Sequence, residues 1–288
     1  MSKALRFAPI AALLLAAPAF AQDEVDSTAP VIDAADLDAD SFQLGLGAGV
    51  VPSYEGSDDY VLTPVPGIRG RVSRINFTLR GNRFSADLIP TPGGPGIDFQ
   101  LGPIAQLNFN RSRRSTINDA RVELLPDLGT AIELGGYVGV GKQGVLTSDY
   151  DKLNFTVSYV HDVNKVHDSY VVTPSIDYGT PLSTKAYVGL NLSANYIGNG
   201  YASTYFGITP AGATASGLPA FVAGKGWKDW TLGTVAMVAL TGDLTGGLAL
   251  IGGASYRRLL DDAAASPITR IAGSRSQWSG LLGLAYSF

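Results

Sequence analysis

The sequence predicts an all-β fold, a transmembrane antiparallel up-and-down β-barrel of about 12 strands, on three observations. Segment after segment alternates apolar with small polar residues, the period of two that side chains have along a strand. The best apolar faces carry no charge, and a charge there would cost ~2–4 kcal/mol at the middle of a bilayer. Connection lengths also alternate, mostly short and then mostly long, as in barrels with short periplasmic turns and long outer loops. The polar face is built of Gly, Ser, Thr and Asn with scattered charges. A water-facing surface would be richer in Lys and Glu, whereas small polar residues suit a narrow lumen.

The bulk numbers agree. Charged residues make up 16% of the 288 residues, below the usual quarter. The net charge of −4 suggests no nucleic-acid partner. Cysteine is absent, which excludes disulfides, thiolate metal sites and cysteine nucleophiles. Lys3 and Arg6 precede an apolar run over residues 7–18, followed by Ala19-Phe-Ala21. That is the pattern of a cleaved signal peptide, residues 1–21, too short to span a bilayer as a helix. Residues 22–40 hold six aspartates and one glutamate without periodicity, an acidic leader. The barrel is expected over residues 41–288.

The strands follow in order. Residues 42–51 put Phe42, Leu44, Leu46, Ala48 and Val50 on one face and Gln43, Gly45, Gly47 and Gly49 on the other. The glycines read as clearance inside a crowded barrel, since no helix follows to make a phosphate loop. After the loop 53–60 come strands at 61–72, 74–80 and 83–88, the last two joined by Gly81-Asn82. A strand over 97–109 faces Phe99 and Leu101 outward and Asp98 and Gln100 inward. Residues 110–128 form a long arginine-rich loop. Further strands are expected at 130–140, 153–159, 170–178, 183–196, 227–240 and 244–256, with long loops at 197–226 and 257–276. The closing strand, 277–288, has Trp278, Leu282, Leu284, Tyr286 and Phe288 on its greasy face. Aromatic residues at both ends of such a face mark the two membrane interfaces. Tyr286 and Phe288 read as an assembly signal for the barrel-assembly machinery, with both barrel ends in the periplasm.

Candidate chemistry is sparse. The two histidines, His161 and His167, flank a short loop near Ser158, Asp162 and Ser169. A serine hydrolase would need a Ser–His hydrogen bond with an orienting acid, and no Gly-x-Ser-x-Gly elbow is present. The reading is non-enzymatic, without cofactor or metal; a loosely held ion is the one natural guess for paired imidazoles. Arg111, Arg113 and Arg114 form a basic cluster suited to lipopolysaccharide phosphates. The acidic run Tyr54-Glu-Gly-Ser-Asp-Asp59 lacks calcium-loop spacing and reads as a structural loop. Arg80, Arg83, Lys185 and Arg257 are expected in the lumen, against Asp87, Asp98, Glu133 and Asp177. A barrel between the filled and the open sizes could be plugged or could conduct, so a small solute pore or uptake channel is the rival function.

Gly45-Leu-Gly-Ala-Gly49, Pro52-Ser-Tyr-Glu-Gly-Ser57 and Pro64-Val-Pro66 resemble the MipA/OmpV family of outer-membrane proteins. The likeness continues in Tyr205-Phe-Gly-Ile-Thr209, Ser216-Gly-Leu-Pro219, Gly224-Lys-Gly226, Arg258-Leu-Leu260, Ser266-Pro-Ile268 and Tyr286-Ser-Phe288. Phe221, Asp261 and Ala265 depart from the family pattern. The resemblance implies residence in the cell outer membrane among lipid and lipopolysaccharide. It also implies a scaffolding role that joins a murein lytic transglycosylase to a bifunctional murein synthase. It carries over no catalytic residue.

Overall fold

The computed structural model describes residues 40–91 and 96–288. The expected signal peptide, all of the acidic leader except Asp40, and residues 92–95 of the connection expected at 91–96 lie outside the described residues. Twelve antiparallel strands close into one barrel, each paired with its sequence neighbours and the last with the first. They are β1 (Ser41–Pro52), β2 (Tyr60–Val72), β3 (Ile75–Arg80), β4 (Arg83–Ala86), β5 (Ile97–Asn108) and β6 (Ala131–Gln143). The circuit continues with β7 (Lys152–Asp162), β8 (Tyr170–Pro181), β9 (Ala186–Ile197), β10 (Gly226–Ala239), β11 (Gly247–Leu259) and β12 (Ser276–Ser287). A strand of this length spans ~40 Å, which at the tilt of a barrel wall covers a bilayer's hydrocarbon.

The alternation resolves as expected. Leu46, Leu62, Phe99 and Leu282 on the outward parity are 68%, 74%, 61% and 57% exposed, so the outside is an apolar belt. A belt that would be costly in water is what a bilayer solvates. Phe42, Phe77, Tyr286 and Phe288 cluster at one rim, with Phe42 and Phe288 ring centroids 6.1 Å apart. Trp230, Tyr256 and Trp278 cluster near the other, at 5.5 and 5.0 Å.

The seam between β1 and β12 runs from Gln43↔Ser287 to Val50↔Gly280. Gly47 and Gly283 oppose each other there. A Cβ on Gly283 would stand 2.7 Å from both the Gly47 Cα and the Leu46 carbonyl oxygen, so the strands meet closely only because neither residue has a side chain. Phe288 N–H continues the ladder, donating to the Phe42 carbonyl at 3.1 Å.

One wall is shorter. The β3–β4 hairpin pairs with β2 only over Gly67–Val72. Pro64 and Pro66 lie on the half of β2 beyond that pairing, where a missing N–H leaves no rung unmade on the hairpin side.

The long connections are not plain loops. Residues 109–130 contain α1 (Ala120–Glu123), residues 198–225 contain α2 (Asn199–Phe206) and α3 (Pro210–Ser216), and residues 260–275 contain α4 (Asp261–Ala265) and α5 (Pro267–Arg270). Local chemistry starts three of these five helices. Asp119 accepts from the backbone N–H of Arg121 and Val122, Thr209 accepts from Gly212, and Ser266 accepts from Ile268. Pro210 and Pro267 begin their helices, and Gly217, at φ 71°, ends α3.

Candidate functional site

These loops fold inward and close one mouth of the barrel. The lower layer packs Tyr201, Ala202, Tyr205 and Phe206 of α2 against Ile104, Val160, Val171, Ile197 and Leu259 from five strands. The upper layer draws Tyr54, Ile117, Val122, Leu125, Ile208, Leu218, Ile268 and Ala272 from four connections. Phe221 touches both layers and is held by a β-bridge to Ile208. Tyr205 and Phe206 are 1% and 0% exposed, so α2 is a stopper rather than a surface flap.

Under the stopper lies a polar anchor. Glu55, from the first loop, accepts from Lys228 Nζ, from Arg257 Nη1 at 3.3 Å and from the Tyr201 hydroxyl at 2.9 Å. Lys228 Nζ also stands 3.4 Å from Asp229 Oδ2 and 4.9 Å from the Tyr201 ring centroid. Two consecutive charges point inward because the β9–β10 register shifts between Trp227 and Asp229. That bulge re-aims Lys228, which strict alternation would place in the lipid. Burial pushes the Glu55 carboxyl up, but the charges of Lys228 and Arg257 and the hydrogen bonds from Lys228 and Tyr201 outweigh it and hold it below the ordinary glutamate value.

A second cluster sits beside the first. Glu133, 1% exposed, accepts from Gln106 and Asn108 at 2.9 Å each and lies 3.1 Å from His167 Nε2. The His167 ring packs on Tyr201 and Tyr205, at 5.0 and 5.7 Å. Asp162 holds the His167 segment by accepting its backbone N–H at 2.7 Å. His167 is therefore a buried support of the stopper. His161 lies on the outward parity of β7, opposite Leu134 and Tyr170. Ser158 faces inward and accepts from Arg83. No Ser–His hydrogen bond joins these residues among the described residues, and no group of three metal-ligating side chains occurs there.

Most expected lumen charges are found inside, held by polar neighbours. Arg83 donates to Gln106 at 2.9 Å and Ser158 at 3.0 Å; Asp98 accepts from Gln100 and Asp177 from Asn191, each at 3.0 Å. Arg80 stands opposite Arg83, with Arg69 and Arg71 on the same inward face of β2. Asp87 is instead a wall brace, accepting the backbone N–H of Ile89 and Leu101 at 3.1 Å. Lys185 corrects the expectation: it is exposed in the β8–β9 turn, outside the lumen, because Leu182 N–H closes that turn on the Ala186 carbonyl. The basic loop is corrected in part. Arg111 is 4% exposed and donates to the Tyr205 carbonyl at 3.4 Å, so it faces the plug and not the lipopolysaccharide. Burial lowers its pKa to about 10. Arg113 is exposed, over the Phe109 ring, and Arg114 pairs with Asp127 at 3.0 Å.

Alternation did not find Glu55, Lys228, Asp229, Tyr201 or Tyr205. The readable signals were the adjacent charges Lys228-Asp229 between tryptophans and the Thr209-Pro210 and Ser266-Pro267 helix starts.

Residues 44–288 match the family model described as MltA-interacting protein MipA. No curated protein matches. Among solved structures, the CymD monoaromatic hydrocarbon channel is similar at 11% identity and a TM-score of 0.40, covering 89% of this chain and 91% of that one. The Pseudomonas putida toluene transporter TodX follows at 9% and 0.36, covering 88% and 90%. The Ralstonia pickettii toluene transporter TbuX stands at 9% and 0.34, with the same coverages. These likenesses are too loose to carry a substrate across.

Proposed function

Since the chain belongs to the MltA-interacting protein MipA family, we propose that it is a non-enzymatic outer-membrane scaffold for murein-remodelling enzymes. Its clients are a lytic transglycosylase and a bifunctional murein synthase, gathered at the periplasmic rim. The carrying observation is the sealed mouth: two apolar layers and a buried ion-pair cluster fill the end through which a solute would enter. A barrel that invests its loops in closing itself is suited to presenting surface rather than to passing cargo. The surface offered is the ring of turns at residues 73–74, 87–91, 144–151, 182–185 and 240–246. The 144–151 turn is rigid, because Asp151 accepts backbone N–H bonds from Val145, Leu146 and Thr147. Periplasmic murein enzymes are expected to co-purify with the folded barrel above the level of an unrelated barrel. Equal recovery would end the scaffold reading.

A narrow pore is the second reading, favoured by the inward arginines of β2, β3 and β4. Planar-bilayer recording separates the two. The intact protein is expected to show no steady conductance, and a variant with residues 199–222 replaced by a short Gly-Ser linker is expected to conduct. Steady conductance by the intact protein would favour the pore.

A further inference from the structure

The outer wall of β9–β12 carries a groove of about 230 Å³ lined by Leu190, Leu232, Thr234, Ala254, Tyr256 and Trp278. The registers explain it. Thr234 lies opposite Leu190 and Ala254, and Ala254 opposite Gly280, so short side chains form the floor. One row nearer the plugged end, Leu232, Tyr256 and Trp278 stand side by side as its upper wall. These six belong to the outward parity, and Ser255, which also borders the groove, lies between two of them on the other parity, so the groove opens into the hydrocarbon of the membrane.

The next row up changes character. Trp230, Arg258 and Ser276 are neighbours there, and Arg258 donates to the Ser276 hydroxyl, as does the Tyr256 hydroxyl at 3.1 Å. Arg275, the residue before β12, is exposed, and its charge lies near the same Tyr256 hydroxyl as that of Arg258. Among the described residues no carboxylate forms an ion pair with Arg258 or Arg275. An outward charge on a barrel wall is tolerated at the interface, where it can meet a headgroup. Guanidinium forks match phosphate oxygens.

We propose that this face binds a phosphorylated, acylated glycolipid of the outer leaflet, with an acyl chain in the groove and a head phosphate on Arg258 and Arg275. The occupant follows from charge complementarity: an uncharged lipid leaves both arginines without an anion, and a purely polar anion leaves the groove empty. The plugged end holds the long loops, which places the arginines in the leaflet where such lipids reside. The site is independent of the scaffold reading.

Native mass spectrometry of the folded barrel, titrated with bis-phosphorylated lipid A, tests it. Retention through delipidation is expected to exceed that of dephosphorylated lipid A at least tenfold. The paired variant Arg258→Gln/Arg275→Gln is expected to remove that preference while keeping residual acyl binding. Ala254→Phe, which fills the groove, is expected to weaken both lipids about equally. Heat-modifiable gel migration confirms that each variant is folded, and Thr234→Val serves as a volume-conserving control if Ala254→Phe is not. Equal retention of the two lipids by the native protein would overturn the assignment. So would unchanged retention in the arginine variant, or a dimer held through β9–β12 in place of lipid.

Discussion

Glu55 is the residue on which the plug turns, because it is the acceptor that Tyr201 of the stopper shares with Lys228 and Arg257 of the wall. Its folded pKa is depressed. The stabilisation it gives is therefore present above the unfolded glutamate pKa and is lost as pH falls through the lower folded value. Protease sensitivity of residues 198–225 is expected to rise below about pH 4 in the native barrel and to lose most of that pH dependence in Glu55→Gln. A flat native profile would refute the linkage. Removing the carboxylate leaves Lys228 buried with Asp229 alone, so Glu55→Ala is expected to cost about 3 kcal/mol, read as an earlier loop-opening transition in denaturant. Asp151 offers an independent check at the opposite end. Burial raises its carboxyl pKa, but the backbone N–H groups of Thr147, Val145 and Leu146 and the Tyr178 hydroxyl bring it well below the usual aspartate value. Asp151→Ala is expected to cost about 2 kcal/mol and to free amide exchange at residues 145–148. Unchanged exchange there would count against the brace.

At the scale of elements, the β1–β12 seam is where closure can be tested. Gly283→Val places a branched side chain against the Gly47 backbone, which has no rotamer to move aside. Folded yield, read as the heat-modifiable band, is expected to fall severalfold, whereas Gly246→Val, with open space around it, is expected to assemble normally. Normal assembly of the Gly283 variant would mean that the seam is looser than its register. The strands were legible in the sequence because a bilayer outside and small polar residues inside impose the same parity on each one. Lys228 escaped that reading because a bulge shifts the parity, and Lys185 because the turn runs on to the residue just before the strand. The plug helices escaped it for a different reason. Residues 199–216 are mostly small or aromatic and carry no helical stripe, since they are packed on several sides at once rather than along one face. Only α3 has a readable start and stop, Thr209-Pro210 and Gly217, and caps alone do not say where a helix docks. The burial of Arg111 was invisible for the same reason, as it depends on Tyr205, far along the chain.

At the scale of the whole molecule, three environments are stacked along one axis. An apolar plug closes one end, a lumen lined by polar side chains follows, and the short turns ring the other end. The anchor explains why the layers act together, since Lys228 and Arg257 belong to the wall and Tyr201 to the plug. Loss of α2 is thus expected to open conductance without unfolding the barrel. Unfolding of that variant in urea would show instead that wall and plug are one cooperative unit. The packing of the long loops, with the proposed orientation that turns them outward, has a further consequence for anything that recognises the cell from outside. Residues from four connections meet in one buried layer, so Leu124, Val222 and Ile271, all exposed nearby, are presented as a single fixed relief and not as separate peptides. Antibodies raised against linear loop peptides should bind intact cells poorly, while those raised against the folded barrel should recognise a discontinuous epitope that boiling destroys.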